Sequence, residues 1–283
     1  MRRLTAMLLG LIVFVTLRPA AGGVALPVRP ESVKFAVIGD TGTGDKEEYD
    51  VGRQMAAVRA RFPFDLVIML GDNMYGRQRP EDFVDKFERP YGPLLKAGVL
   101  FYASLGNHDD QSNRFYKGFN MGGERYYSFA KKNVRFFVLD SNQMDPRQRA
   151  WLEEALKQSQ DEWKVCYFHH PIYSDGGRHG SDVALRVAIE PLLMKYSVDV
   201  VFAGHDHIYE RFKPQKGITY FVEGSSGELR RGDVKPSAAT AAYFDQDQAF
   251  MLVEIGGEEL TFEAVARTGA VVDSGVIPRK PRT

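Results

Sequence analysis

Runs that read as β-strands in this chain repeatedly end in side chains able to hold a cation. Gly39-Asp40-Thr41-Gly42 and Gly71-Asp72-Asn73-Met74-Tyr75 each place a carboxylate directly behind a glycine. Gly106-Asn107-His108-Asp109 adds an amide and an imidazole. His169-His170-Pro171, His179-Gly180 and Gly204-His205-Asp206-His207 hold the remaining histidines of the six in the chain. Glycine lets the backbone turn sharply at a strand end and leaves the next side chain exposed there. Carboxylates, imidazoles, an amide and a phenol gathered at one edge of a sheet are a donor set for metal ions.

The residue types narrow the chemistry further. Two carboxylates on neighbouring strands, Asp40 and Asp72, repel each other unless a cation sits between them. The amide oxygen of Asn107 is a neutral, hard donor suited to a divalent ion. In extended backbone, positions i and i+2 face the same way, so His205 and His207 are expected to reach adjacent ions from one strand end. Tyr75 would have to ligate as a phenolate. A free phenol ionises near pH ~10, so only a strong Lewis acid such as Fe3+ would deprotonate it around neutrality. His108 cannot easily share an ion with its neighbour Asn107 and is read as a proton donor or a phosphate contact. His170 receives no role.

Other catalytic schemes lack their residues. There is no Gly-x-Ser-x-Gly turn for a nucleophilic serine. The segment Gly39–Gly44 has neither a Gly-Lys-Ser/Thr ending nor a Gly-x-Gly-x-x-Gly spacing. A structural zinc site would want several cysteines, and the one cysteine, Cys166, lies in the apolar run Val165-Cys166-Tyr167-Phe168, where a buried inert thiol is expected.

Strand and helix alternate through most of the chain. Strands are expected over 33–38, 65–70, 99–105, 163–168, 198–202 and 219–222, with a hairpin over 126–139 and two antiparallel strands over 249–255 and 260–266. Helices are expected over 47–61, in pieces around 83–96, and over 146–159 and 181–196. Such alternation implies α/β layering, and in open α/β sheets the ligand site lies beyond the carboxyl ends of the strands, where the polar segments above fall.

Composition sets outer bounds. The 283 residues are 44% hydrophobic, with 37 basic and 37 acidic side chains and a formal net charge of zero. That balance gives no support for nucleic-acid or anionic-membrane binding. Met1-Arg2-Arg3, an apolar run from Ala6 to Leu17 and the small residues around Ala20-Ala21-Gly22-Gly23 form a secretory signal pattern over 1–25, too short for a membrane span. Residues 26–283 are then expected to form a single domain, exported to a periplasm or secreted, with no membrane span after cleavage. No Asn-x-Ser/Thr acceptor occurs. Oligomeric state cannot be read from these features.

The motif set resembles the calcineurin-like metallophosphoesterases, over most of the chain after the signal. Within them it is most similar to the purple, or tartrate-resistant, acid phosphatases. Asp40-Thr41-Gly42 lacks the histidine of the general Asp-x-His motif, and the tyrosine of Gly71-Asp72-Asn73-Met74-Tyr75 is the purple-branch feature that compensates. Gly204-His205-Asp206-His207-Ile208-Tyr209-Glu210-Arg211 resembles the same branch. The resemblance implies a four-layer α-β-β-α sandwich of two mixed sheets. It implies a ferric site of Asp40, Tyr75 and His207, a divalent site (Fe2+, Zn2+ or Mn2+) of Asn107, His169 and His205, and Asp72 bridging the two. His108 and His179 would contact phosphate and help protonate the leaving group. The implied activity is hydrolysis of small phosphate monoesters by a metal-bound hydroxide with an acidic optimum, since an imidazolium is most available below pH ~6.5. Alternatives on the same scaffold are a phosphodiesterase, nucleotidase or protein phosphatase with a manganese or zinc centre, and a catalytically silent exported binding protein.

Overall fold

Apolar side chains alternate along the strands so that each sheet has two buried faces. In the computed structural model, which describes residues 25–280, the strands are β1 (Val33–Ile38), β2 (Leu66–Met69), β3 (Leu100–Ala103), β4 (Tyr127–Lys131), β5 (Val134–Val138), β6 (Trp163–Tyr167), β7 (Val200–Ala203), β8 (Tyr209–Phe212), β9 (Thr219–Glu223), β10 (Thr240–Phe244), β11 (Ala249–Gly256), β12 (Glu259–Ala266) and β13 (Val271–Pro278). The helices are α1 (Lys46–Val58), the short α2 (Pro80–Phe83) and α3 (Gly92–Lys96), and the longer α4 (Pro146–Gln158) and α5 (Val183–Lys195). The export signal expected over 1–25 lies, apart from Ala25, outside the described residues.

The strands form two mixed sheets. One is six-stranded with order β13-β12-β11-β1-β2-β3, and the other is seven-stranded with order β10-β8-β9-β7-β6-β5-β4. In β1, Val33, Phe35 and Val37 join the core shared with Phe136 of β5, Val165 of β6 and Phe202 of β7. Ala36 and Ile38 of the same strand point the other way, onto Val51 and Met55 of α1. Across the second sheet, Cys166 and Val201 meet Leu152 of α4 and Ile189 of α5. Period-two alternation thus builds a helix–sheet–sheet–helix sandwich, the four-layer architecture expected. Cys166 is buried, and burial pushes its thiol well above the ordinary range, as befits an inert core residue.

Two differences from the expected elements have physical causes. β8, β10 and β13 do not stand out as strands in the sequence. Each carries polar or small residues at positions that would ordinarily be apolar. Arg211 on β8 is paired with Asp273 on β13, 2.7 Å from Nε to Oδ2, and Glu210 accepts from Thr240 on β10. Their strand character comes from neighbours rather than from local pattern. The region around 83–96 divides into α2, a turn of π-helix at Val84–Glu88 and α3, because Pro90 and Pro93 interrupt a continuous helix.

Parallel pairing of β1 with β2 and of β2 with β3 brings three carboxyl ends side by side in the first sheet. Parallel pairing of β5, β6 and β7 does the same in the second. Both rows of strand ends open at one edge of the sandwich, which is where the site lies.

Candidate metal centre

The floor of the site is built from turns that leave the strands in left-handed conformation. Asp40 follows β1 with φ 53° and Asp72 follows β2 with φ 50°. A non-glycine residue pays for this geometry only where the surroundings hold it. Here the backbone N–H of Asp40 donates to the Gly71 carbonyl at 3.0 Å, and that of Gly42 to the Asp72 carbonyl at 3.3 Å. The two turns lock one another. Gly106 at the end of β3 packs so closely that a Cβ there would lie 2.1 Å from Asp72 Oδ1. Only glycine allows the third strand end to approach.

The side chains fall into two groups. In one, the Tyr75 hydroxyl lies 3.2 Å from Asp40 Oδ1 and 3.3 Å from His207 Nε2, and His207 Nε2 lies 3.5 Å from Asp40 Oδ1. In the other, His169 Nε2 lies 2.9 Å from Asn107 Oδ1 and 3.1 Å from His205 Nδ1. Asp72 Oδ1 lies 3.5 Å from His169 Nε2, and ligand atoms of Asp40, Asp72 and His169 all lie within 4.8 Å of one another. Donors from the first sheet (Asp40, Asp72, Tyr75, Asn107) thus meet donors from the second (His169, His205, His207) across the edge of the sandwich.

His205 and His207 reach opposite groups by a route different from the one the sequence suggested. The backbone there is not extended. His205 has φ 70°, the Asp206 N–H donates to the Gly204 carbonyl at 2.9 Å, and the Ile208 N–H to the Asp206 carbonyl at 2.8 Å. Successive tight turns splay the two imidazoles apart, whereas period-two geometry would have aligned them. The His205 N–H donates to Asp40 Oδ2 at 2.8 Å, which fixes this turn against the first sheet.

Two exposed histidines flank the cluster. The His108 ring packs against Tyr75 at 4.8 Å between centroids and a 46° tilt, and its backbone N–H donates to Asp72 Oδ1 at 2.9 Å. The His179 ring packs against that of His205 at 4.2 Å between centroids and a 38° tilt. His170, which received no role above, lies 4.4 Å from the His205 ring and is held through Nδ1 by the Ser141 hydroxyl at 2.9 Å.

Residues 33–209 match the calcineurin-like phosphoesterase family. The chain belongs to that family. It is 25% identical over 301 residues to the tartrate-resistant acid phosphatase type 5 of Rattus norvegicus, covering 89% of this chain and 92% of that one. It is 30% identical over 270 residues to purple acid phosphatase 3 of Arabidopsis thaliana, covering 81% of this chain and 73% of that one. The solved structure of GAP50, the anchor in the inner membrane complex of Plasmodium, superposes with a TM-score of 0.75 at 17% identity, over 89% of this chain and 90% of that one. Likeness at that level speaks for fold alone; function rests on the site. This calcineurin-like phosphoesterase is a metal-dependent phosphoesterase with a dinuclear centre, of the purple acid phosphatase type.

The donors of the phosphoesterase fit a pair of cations. His169 Nδ1 donates to the Leu70 carbonyl at 3.0 Å, so Nε2 presents only a lone pair to the cluster. That lone pair faces the Asn107 amide oxygen, another acceptor. Burial, then the neighbouring imidazoles, push His205 down to about 2, and burial, then the nearby Arg230 guanidinium, push His207 down to about 4. Neutral imidazoles are ligands; imidazolium ions are not. Burial, then the charge of Asp72, raises Asp40. Lone pairs and carboxylates that disfavour one another at such distances are matched by positive ions between them.

Several bracing residues were not legible as such in the sequence. Asp109 is buried, and its carboxylate accepts from the backbone N–H groups of Gly106 at 2.8 Å, Asn73 at 3.1 Å and Met74 at 2.9 Å. It ties the Asp72 turn to the Asn107 turn. Gln78 accepts from the Asp110 N–H and donates to the His108 carbonyl, which makes it a brace for the His108 loop. Its neighbour Arg79 pairs instead with exposed Glu81 and Asp82. The loop Gly224-Ser225-Ser226-Gly227 braces the Asp40 turn. The Ser226 N–H donates to the Gly39 carbonyl at 3.2 Å and the Glu228 N–H to the Asp40 carbonyl at 3.0 Å. All these contacts join residues far apart in the chain, and an Asp following a histidine was the one local hint.

Proposed function

We propose that this phosphoesterase is an exported acid phosphatase for small phosphate monoesters, with one catalytic domain over 26–283. Fe3+ would be held by Asp40, Tyr75 and His207. A divalent ion, Fe2+, Zn2+ or Mn2+, would be held by Asn107, His169 and His205, with Asp72 shared between the two. The placement of the Tyr75 hydroxyl between Asp40 Oδ1 and His207 Nε2, at 3.2 and 3.3 Å, carries this reading. Burial, then Asp40 and Asp72, raises the Tyr75 phenol far above its ordinary range, so a phenolate there requires a strongly Lewis-acidic ion. The bound ions would supply Lewis acidity for water activation and for neutralising the phosphate.

The chain's own residues supply the rest. The His169–Leu70 hydrogen bond fixes a tautomer and a ring plane. The His108 N–H and the buried turn fix the Asp72 carboxylate. His108 and His179 stand on opposite flanks of the cluster, exposed to an entering ester. As a water oxygen bonds to phosphorus, the bond from phosphorus to the ester oxygen breaks, His108 and His179 as imidazolium ions help give that oxygen its proton, and the products are an alcohol and inorganic phosphate.

Protein produced in iron-replete cells should absorb in the visible through a tyrosinate-to-iron transition, and Tyr75→Phe should remove the band. Full activity in colourless, iron-free protein would overturn the ferric assignment and leave the dinuclear phosphoesterase standing. A panel of mono- and diesters across pH should show monoester preference on the acid side. Export is checked by sequencing the N-terminus of the mature protein. Among the described residues no helix is long and apolar enough to cross a membrane.

A further inference from the structure

Asp206 lies between His205 and His207, yet its side chain turns away from the cluster. It is fully buried. Its Oδ2 accepts from the Ser174 hydroxyl at 2.5 Å and from the Gly180 N–H at 3.1 Å. Those two partners stand at opposite ends of the loop that carries His179. Ser174 closes the loop base a second time, its N–H donating to Ser181 Oγ at 2.9 Å. The loop also moulds itself around the carboxylate. A Cβ at Gly176 would lie 2.5 Å from Asp206 Cγ, so glycine is required there by close approach.

We propose that Asp206 is a positioning residue that sets His179 over the metal centre. One carboxylate oxygen gathers both ends of the Ser174–Ser181 loop onto the turn that carries two of the proposed ligands. The His179 ring then rests 4.2 Å from the His205 ring, and among the described residues its side chain makes no hydrogen bond that would hold it there. The placement of the imidazole is therefore inherited from the loop, and the loop inherits it from Asp206. Other contacts hold the loop as well, among them the Gly177 N–H on the Asp233 carbonyl and the Asp175 N–H on Glu210 Oε2, both at 2.9 Å, but Asp206 is the side chain from outside the loop that joins its two ends.

This inference rests on the reading of His179 as a proton donor to the leaving group, and the test separates the two. Asp206→Ala, Ser174→Ala and Asp206→Asn would be compared in the otherwise unchanged chain and in a His179→Ala background. The substrates are p-nitrophenyl phosphate, whose leaving group needs no proton, and an alkyl phosphate, whose leaving group does. In the unchanged chain Asp206→Ala and Ser174→Ala should each lower kcat on the alkyl ester about 10- to 100-fold, the range for loss of an orienting partner. They should change kcat on the aryl ester by less than about threefold, with KM nearly constant. Asp206→Asn, whose amide oxygen can turn into the same position, should recover most of the loss. In the His179→Ala background the further loss should vanish. Metal content and the visible band should match the parent in every variant. Equal losses in both backgrounds, or loss of metal, would overturn the positioning role. If His179→Ala alone leaves the alkyl ester unaffected, the reading of His179 fails and takes this one with it, while aryl ester hydrolysis continues to support the enzyme.

Discussion

The floor and the rim of this site are made in different ways. The floor carries Asp40, Asp72, Tyr75, Asn107, His169, His205 and His207, mostly at the carboxyl ends of paired parallel strands. Its turns lock one another through backbone hydrogen bonds, and its carboxylates and His169 are buried. The rim carries exposed His108 and His179 on loops braced by side chains such as Gln78 and Asp206. The floor inherits its precision from sheet register, which cannot shift by less than a residue. The rim loops are held by polar contacts from other segments, such as those of Gln78 with the Asp110 N–H and the His108 carbonyl and those of Asp206 with Ser174 and Gly180. On the proposed roles, ion binding falls to buried strand ends and proton delivery to exposed loops.

The contrast can be broken most forcefully at Asp72. Asp72→Ala should release metal and lower kcat on an aryl phosphate roughly 1,000-fold or more, the scale of losing a main electrostatic stabiliser. Metal analysis of the variant checks this; two ions retained per chain would mean that Asp72 is not shared between them. Next in size are the rim variants. His108→Ala and His179→Ala should each lower kcat on alkyl phosphates by about 100-fold or more, as for loss of a general acid. They should bind metal as the parent does, and a drop in metal content would erase the distinction between floor and rim.

A brace beneath the floor should have an intermediate effect. Asp109→Ala strips the acceptor from the N–H groups of Gly106, Asn73 and Met74, and should weaken metal affinity by about 10- to 100-fold. Titration with a competing chelator measures it. The smallest effect on turnover is expected beneath the Asp40 turn, at Glu223. Burial raises this carboxyl to about 8, against an ordinary value of 4.5. Because the folded state holds the proton more tightly, the stability linked to it is complete below about 4.5 and declines as pH rises through about 8. Glu223→Gln should flatten the dependence of Tm on pH between 5 and 8 while leaving kcat within about twofold, on the view that a neutral Glu223 and a glutamine are near-equivalent. An unchanged pH profile of Tm would show that Glu223 is not held protonated.

The legible part of this architecture was local. Asp40 and Asp72 stood out because strand, glycine and carboxylate are contiguous, and the strands β1, β2, β6, β7 and β9 because both faces of each are apolar. β8, β10 and β13 were obscured because Arg211, Glu210 and Asp273 find their partners only across strands. The turn at His205 was missed because its positive φ is imposed by Asp40 Oδ2, a residue 165 positions away. The bracing contacts of Asp109 and Asp206 were missed for the same reason: each acts on a segment the sequence keeps at a distance.

Taken by itself, the amino-acid order determined which donors exist and that each stands at a strand end, since side-chain chemistry and the two-residue period are properties of short segments. It did not determine which donors meet. That was decided by the lateral order of strands and by the stacking of one sheet on the other, which set Asp40 and Tyr75 against His207, and Asn107 against His169 and His205. Strand order is fixed by burial summed over the whole sandwich, a quantity that no single motif contains.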